Sequence, residues 1–339
     1  MSTYKAIRGK LVKTVTADPT PATNYEGEMW YNTTIGALKV AGPIASVWST
    51  AANSSSPATG GMVGFGAQNS AVLAGGSVPA PSPALSTAIN VVQEYNGSSW
   101  TTVNAMSQVR LVFGGAGPQT SGVVFGGRTS GNPFTYTAAT EEYDGTNWTG
   151  GGAMGAQRYY MGAAGTQTAA FQIGGLQAGP NSKTETQIYN GSSWTSAPSL
   201  PTGAHAIRGS GTTSATLAAS AAPPAPRDIS MEYNGSSWST GNPTGNTSQA
   251  YRGVSSLGTQ TDSLLFGGEP FAGATEHYDG TNWSNESATL GVTRAMTGGG
   301  GTGTTGLAIS GESPAGTPAN NSTEEYTASY IGAKTVTSS

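Results

Sequence analysis

"EEYDGTNWT" (residues 141–149) and "QEYNGSSWT" (93–101) are two versions of one phrase, and the phrase decides the fold. Asp-Gly and Asn-Gly supply the positive φ that a tight hairpin connection requires, so the tyrosine ends one strand and the tryptophan opens the next. Tyr95, Tyr143, Tyr189, Tyr233 and Tyr278 each stand five residues before Trp100, Trp148, Trp194, Trp238 and Trp283. With Trp48 included, successive tryptophans lie 44 to 52 residues apart, a period that marks one supersecondary unit used repeatedly.

A second phrase precedes each hairpin: "GAQNSAVLAGG" (66–76), "GPQTSGVVFGG" (117–127), "GTQTAAFQIGG" (165–175), "GTTSATLAASA" (211–221), "GTQTDSLLFGG" (258–268) and "GTGTTGLAISG" (301–311). Each begins with a turn and runs into a short strand that is apolar on both pleat faces, as a strand in the middle of a layered stack must be. A unit therefore has a strand a, an apolar strand b ending at Gly-Gly, a strand c ending at Tyr and a strand d starting at Trp. Four strands in ~45 residues is one propeller blade. Unit four replaces Gly-Gly with Ser220-Ala221, and unit six has Ser310-Gly311 and a Tyr326 with no tryptophan after it. Trp48 in "SVWST" has no unit before it, so its strand is expected to complete the last blade. The competing candidate is "YIGAKTV" (330–336).

Composition agrees with this reading. Only 9% of the residues are charged, and 51 glycines serve many short strands and turns. A net charge of −4 gives no field that would draw nucleic acid, and no run approaches ~18 apolar residues, so neither nucleic-acid binding nor membrane insertion is expected. With no cysteine there is no disulfide, thiolate nucleophile or Cys-ligated metal. The N-terminus lacks the apolar core of a signal peptide.

Gly-Gly, then Tyr, then Trp, then Arg entering the next unit resembles the kelch repeat, over residues 44–330. The resemblance implies an all-β, six-bladed kelch-like β-propeller. Outside it, "GEMWYNTTIGALKV" (27–40) reads as a hairpin with "NTTIG" as its turn. The expected division is an N-terminal attachment segment (1–43), the propeller (44–330) and a C-terminal strand or tail (331–339). The hairpin, "YKAIRGKL" before it and "AKTVTSS" at the C-terminus resemble segments of virion proteins of tailed bacteriophages, notably cyanophage fibre-like appendages. This implies a structural protein of the extracellular virion. It would be held to other virion proteins through residues 1–43, would bind a host-surface glycan or protein, and leaves room for a homo-oligomer. The rivals are a capsid-decoration or tail-assembly protein, a non-viral kelch-type scaffold and, last, a glycan-cleaving enzyme.

The b–c loops and d–a connections differ between units, whereas the a–b and c–d turns are uniform, so the former face is the expected binding face. Its ligand candidates are Phe134, Tyr136, Tyr159, Tyr160, Tyr251 and Phe271, with Arg158 and Arg252 beside them. Aromatic faces stack on sugar rings, and guanidinium groups bind carboxylates bidentately. Arg110, Arg158, Arg208, Arg252 and Arg294 are read as sharing one repeat position. The residues favour a structural role for them, pairing between blades with Glu94, Glu142, Glu232, Glu276 and Glu325. The tryptophans Trp48, Trp100, Trp148, Trp194, Trp238 and Trp283 are expected to pack between blades.

For catalysis the inventory is thin. His205 and His277 stand alone, so no metal site or cofactor is expected and the chain is read as a non-enzyme. The copper centre of galactose-oxidase-like kelch enzymes needs a cysteine, and "YDGTNW" places Asp and Gly adjacently, unlike the sialidase box.

Overall fold

The computed structural model describes residues 12–19, 27–57, 60–78, 87–129, 135–245, 253–254, 258–314 and 320–336. Among them there is no helix, and hence none long and apolar enough to cross a membrane. The chain divides into two compact units, residues 48–327 and residues 1–47 with 328–339.

The larger unit holds six four-stranded antiparallel sheets, one per sequence repeat. In sheet 2, strands a to d are Gly114–Ala116, Gly122–Phe125, Thr140–Tyr143 and Trp148–Gly151, and sheets 1, 3, 4 and 5 follow the same order. Sheet 6 takes its fourth strand from the start of the unit. Val47–Ala51 lies beside Asn320–Thr327, and the Trp48 ring packs at 5.3 Å from Tyr326 and 5.1 Å from Phe266. The expected place for the Trp48 strand is thus the observed one. The rival segment goes elsewhere: Tyr330–Thr335 pairs with Ala37–Ile44 in the smaller unit. That unit's sheet also contains Lys13–Val15 and the hairpin strand Met29–Asn32, with Met29 opposite Val40 and Asn32 opposite Ala37. Trp30 is its buried centre, its indole donating to Asp18.

Strand b is buried along almost its whole length in each sheet, as in "GVVF" (122–125) and "SLLF" (263–266), which explains its lack of alternation. Strand a of each sheet packs against strand a of the next, and that of sheet 6 returns to that of sheet 1. Glycine makes this approach feasible: a Cβ on Gly64 would lie 2.7 Å from the Gly299 nitrogen, and one on Gly209 2.6 Å from the Ala163 oxygen. At the end of strand b the first residue of the Gly-Gly pair is left-handed, with φ of 64° at Gly126. Sheet 4 places Ser220 there at φ 55°, a conformation that serine tolerates only at a cost.

Two side-chain latches join neighbouring sheets. The strand-c tyrosine donates its hydroxyl to the glutamate one residue before the tyrosine of the preceding sheet: Tyr95 to Glu325, Tyr143 to Glu94, Tyr189 to Glu142 and Tyr278 to Glu232. Burial, and then these bonds, raise the tyrosine pKa values, that of Tyr189 to about 12. A glutamine in the a–b turn adds the second latch. Gln119 donates to the carbonyls of Ala71 and Tyr95, and Gln68, Gln167 and Gln260 do the same at their own seams. Where one latch residue changes, so does the other: Ile188 and Thr213 occupy these positions at the seam of sheets 3 and 4, and His277 and Gly303 at that of sheets 5 and 6. Gln119→Ala should therefore lower stability by about 1–2 kcal/mol in denaturant unfolding, for two partly buried bonds lost, while Thr213→Ala changes it little.

Each tryptophan packs on the strand-c tyrosine of its own sheet at 4.7 to 5.3 Å, but only Trp48 and Trp238 are buried, and Trp100, Trp148, Trp194 and Trp283 are half-buried. The strand-c tyrosines Tyr95, Tyr143, Tyr189, Tyr278 and Tyr326 are fully buried instead. A strand-d ring sits at the outer edge of its sheet, where only one side meets a neighbour. The indoles of Trp194, Trp100 and Trp48 donate to Thr140, Thr323 and Thr275 of the preceding sheet.

Candidate functional site

The arginines correct the sequence reading in two ways. A common position is defined by which carbonyl receives the NH of the second Gly-Gly residue: Arg110 from Gly76, Arg158 from Gly127 and Arg294 from Gly268, but Ala204 from Gly175. Arg208 is four residues further on, in strand a of sheet 4, where it lines a small cavity with Gly64, Gly115, Gly162 and Gly299. Arg252 lies outside the described residues. For Arg110 and Arg294 the partners also differ from those expected, since Glu94, Glu142, Glu232 and Glu325 are taken by the hydroxyl latches. Arg110 instead pairs with Glu141 of its own sheet through Nε and Nη2 at 3.2 and 3.0 Å and donates Nη1 to the carbonyls of Gly126 and Ala139. Arg294 pairs with Glu324 likewise. Both pairs are fully buried, and desolvation lowers the arginine pKa while the carboxylate raises it.

The aromatic candidates do converge, around a residue the sequence reading passed over. Arg128 follows Gly127 directly and forms a two-residue ladder with Tyr136 across the b–c loop of sheet 2. Its guanidinium carbon lies 4.4 Å from the Tyr159 ring centre, 5.5 Å from that of Tyr160 and 6.0 Å from that of Tyr136. Tyr136 stacks on Tyr159 at 4.7 Å and 20°, Tyr160 tilts against Tyr159 at 5.7 Å, and His205 approaches Tyr160 edge-on at 6.3 Å. These side chains come from sheet 2 and from the connections into sheets 3 and 4. No local motif marks Arg128; its place in the variable loop "RTSGNPFTYTAA" was the available signal.

Backbone geometry fixes the cluster. Tyr160 is left-handed at φ 53°, as are Val112, Ala206 and Met296 at corresponding positions. Its NH bonds the Val112 carbonyl at 2.8 Å, and its own carbonyl accepts the NH of Ala206 at 2.7 Å, so each connection is tied to the next. Holding a tyrosine in this conformation costs energy that the belt of bonds supplies. Tyr159 is buried, with its hydroxyl on the Gly179 carbonyl, and serves as the floor; Tyr136 and Tyr160 are half-buried and present their faces. Burial, then the bond to Tyr159, raises the Tyr136 pKa. His205 bonds Ser182 and is pushed towards its neutral form by burial. Tyr160 also borders a cavity lined by Met62, Met161, Met296 and Arg208.

The remaining candidates are dispersed. Phe134 and Tyr251 lie outside the described residues, and Phe271 is half-buried in the corresponding loop of sheet 5. Arg158 is buried and directed to Glu185 at 3.7 Å, so it lines a separate cleft rather than the tyrosine cluster. His277 bonds Asp262 at 2.6 Å. Among the described residues no three His, Asp or Glu side chains gather as a metal site would require. The arrangement at Arg128 offers flat aromatic faces beside a delocalised cation, which suits ring-shaped or anionic ligands. No protein-family model matches the chain, and no curated protein matches it.

Proposed function

We propose that the six sheets are the blades of a closed kelch-like propeller, and that the chain is a non-enzymatic adhesin of a tailed-phage particle. In this reading residues 1–43 hold the chain to other virion proteins, and the strand-b loop face binds a host-surface glycan or protein. The cyclic order of strand-a contacts, with sheet 6 returning to sheet 1, supports the propeller. The observation that carries the binding role is the Arg128–Tyr136–Tyr159–Tyr160 cluster, which sits on the face whose loops vary between repeats. The resemblance of the terminal segments to virion appendage proteins supports the location. Many copies on one particle would make weak single-site affinity sufficient.

The test is binding of the full chain to a glycan array and to host cells, alongside a Tyr136→Ser/Tyr160→Ser variant that spares buried Tyr159. The variant should melt close to the parent and bind at least about tenfold more weakly, through loss of two stacking faces. Unchanged binding would remove the cluster from the account. A parent chain that binds neither glycan nor cell, yet binds purified virion subunits, would favour the decoration or assembly role.

A further inference from the structure

Arg158 occupies the position of Arg110 and Arg294, yet its surroundings differ, above all where their carboxylate partner stands. The carboxylates that neutralise Arg110 and Arg294 are Glu141 and Glu324, two residues before the strand-c tyrosine; in sheet 3 that position is Gln187. Each glutamate does two things: it binds the guanidinium, and it accepts a backbone NH from the d–a connection, Ser107 for Glu141 and Gly291 for Glu324. Gln187 keeps the second task, its Oε1 accepting the Gly155 NH at 3.0 Å. The other end of an amide is a donor, so it cannot meet a guanidinium. The carbonyl of Gly174, counterpart of the Gly126 carbonyl bound by Arg110, accepts the amide of Gln172 instead.

Arg158 is left as a buried cation without its internal counter-charge. Its side chain is 4% exposed, and among the described residues its Nε has no hydrogen-bond partner. Among them Nη1 reaches the Gln157 carbonyl alone, and Nη2 faces Glu185 at 3.7 Å, beyond hydrogen-bond length, on a side chain that is 54% exposed. Buried polar groups are ordinarily satisfied, and a buried charge lacking its partner is costly. The guanidinium lines a cleft of about 370 Å³, a volume suited to a small ligand. The half-buried Trp194, Ser196 and Ser199 line the same cleft.

We infer that this cleft is a second binding site, for a carboxylate-bearing sugar of the uronate class. The ligand carboxylate supplies, from the cleft, the negative charge that Glu141 and Glu324 supply in their own sheets, displacing Glu185 towards solvent. The sugar ring lies against Trp194, and its hydroxyls reach the serines. A guanidinium, an indole face and hydroxyl groups in one cleft match the three parts of such a ligand. The site is independent of the tyrosine cluster.

The decisive variant is Gln187→Glu, which supplies the internal carboxylate. Titration calorimetry of the full chain with glucuronate, glucose and a glutamate-containing tripeptide gives the affinities, and thermal melting gives the stability. The parent should bind glucuronate at least about tenfold more tightly than glucose or the tripeptide, as expected for a charge-assisted bidentate contact combined with ring stacking. Gln187→Glu should lose that binding at least tenfold while melting at a higher temperature. Tyr136→Ser/Tyr160→Ser should leave it unchanged, so this site and the tyrosine cluster stand or fall separately. Equal affinity for glucuronate and glucose, preference for the tripeptide, or undiminished glucuronate binding by Gln187→Glu would each overturn the assignment.

Discussion

Tyr143→Ala should destabilise the protein by about 3–5 kcal/mol, more than any tryptophan replacement in the repeat. The ring is fully buried, stacks on Trp148 at 4.7 Å and packs in one apolar cluster with Phe65, Val72 and Val92 of the preceding sheet. Its hydroxyl donates to Glu94 at 2.9 Å, and its backbone carbonyl accepts the Gln167 amide of the following sheet. One residue thus ties three sheets together, and its truncation leaves a cavity and an unpaired carboxylate oxygen. Trp148 is only half-buried and its indole bonds the Asn104 carbonyl, so Trp148→Ala should cost roughly half as much, near 2 kcal/mol. Tyr143→Phe separates the terms: it keeps the ring and loses the hydrogen bond, for about 1–1.5 kcal/mol. Urea unfolding monitored by tryptophan fluorescence gives all three values. A Trp148→Ala loss larger than that of Tyr143→Ala would contradict this packing.

Arg110→Met should be comparably damaging, at about 3–5 kcal/mol, because it strands Glu141 in a site that is 4% exposed. The protein itself contains the compensated version. In sheet 4 the two corresponding positions are Ala204 and Met231, both buried and apolar. Arg110→Ala/Glu141→Met should therefore recover most of the loss, since replacing both members of a buried pair by apolar groups is close to neutral. The same unfolding measurement applies. A double variant as unstable as Arg110→Met would mean that the hydrogen bonds from Arg110 to Gly126 and Ala139, rather than the ion pair, hold this connection.

The repeat and its strands were legible because two dipeptides each demand a single backbone geometry. Asp-Gly or Asn-Gly fixes the c–d turn, and its register follows, with Tyr143 opposite Trp148 and Thr140 opposite Gly151. Gly-Gly fixes the end of strand b. The place of Trp48 followed from counting, since six b strands need six d strands. The arginine register was missed because it was sought by residue type rather than by spacing: Arg110, Arg158 and Ala204 each stand ten residues after their tryptophan and Arg294 eleven, whereas Arg208 stands fourteen after Trp194, and it is Ala204 whose carbonyl meets Gly175. The glutamate pairing was misjudged for a related reason: "EEY" offers two carboxylates facing opposite sides of strand c, and periodicity alone does not say which one meets a guanidinium. Arg128 escaped notice because its partners come from two other chain segments, and only folding brings them together. Arg158 could be sorted from the tyrosines only by its surroundings, where Gln187, Gln172 and Glu185 stand in place of Glu141, Val124 and Ala139 of sheet 2.

Hydrogen exchange of the full chain, with and without a saturating concentration of the glycan it selects from the array, tests most directly whether the strand-b loop face is where this protein binds. The account predicts new protection at residues 128–129, 135–137 and 158–160, with the hairpin turns 96–99, 144–147, 190–193 and 234–237 unchanged. Protection confined to those turns, with the Arg128 cluster exchanging as in the free chain, would contradict it.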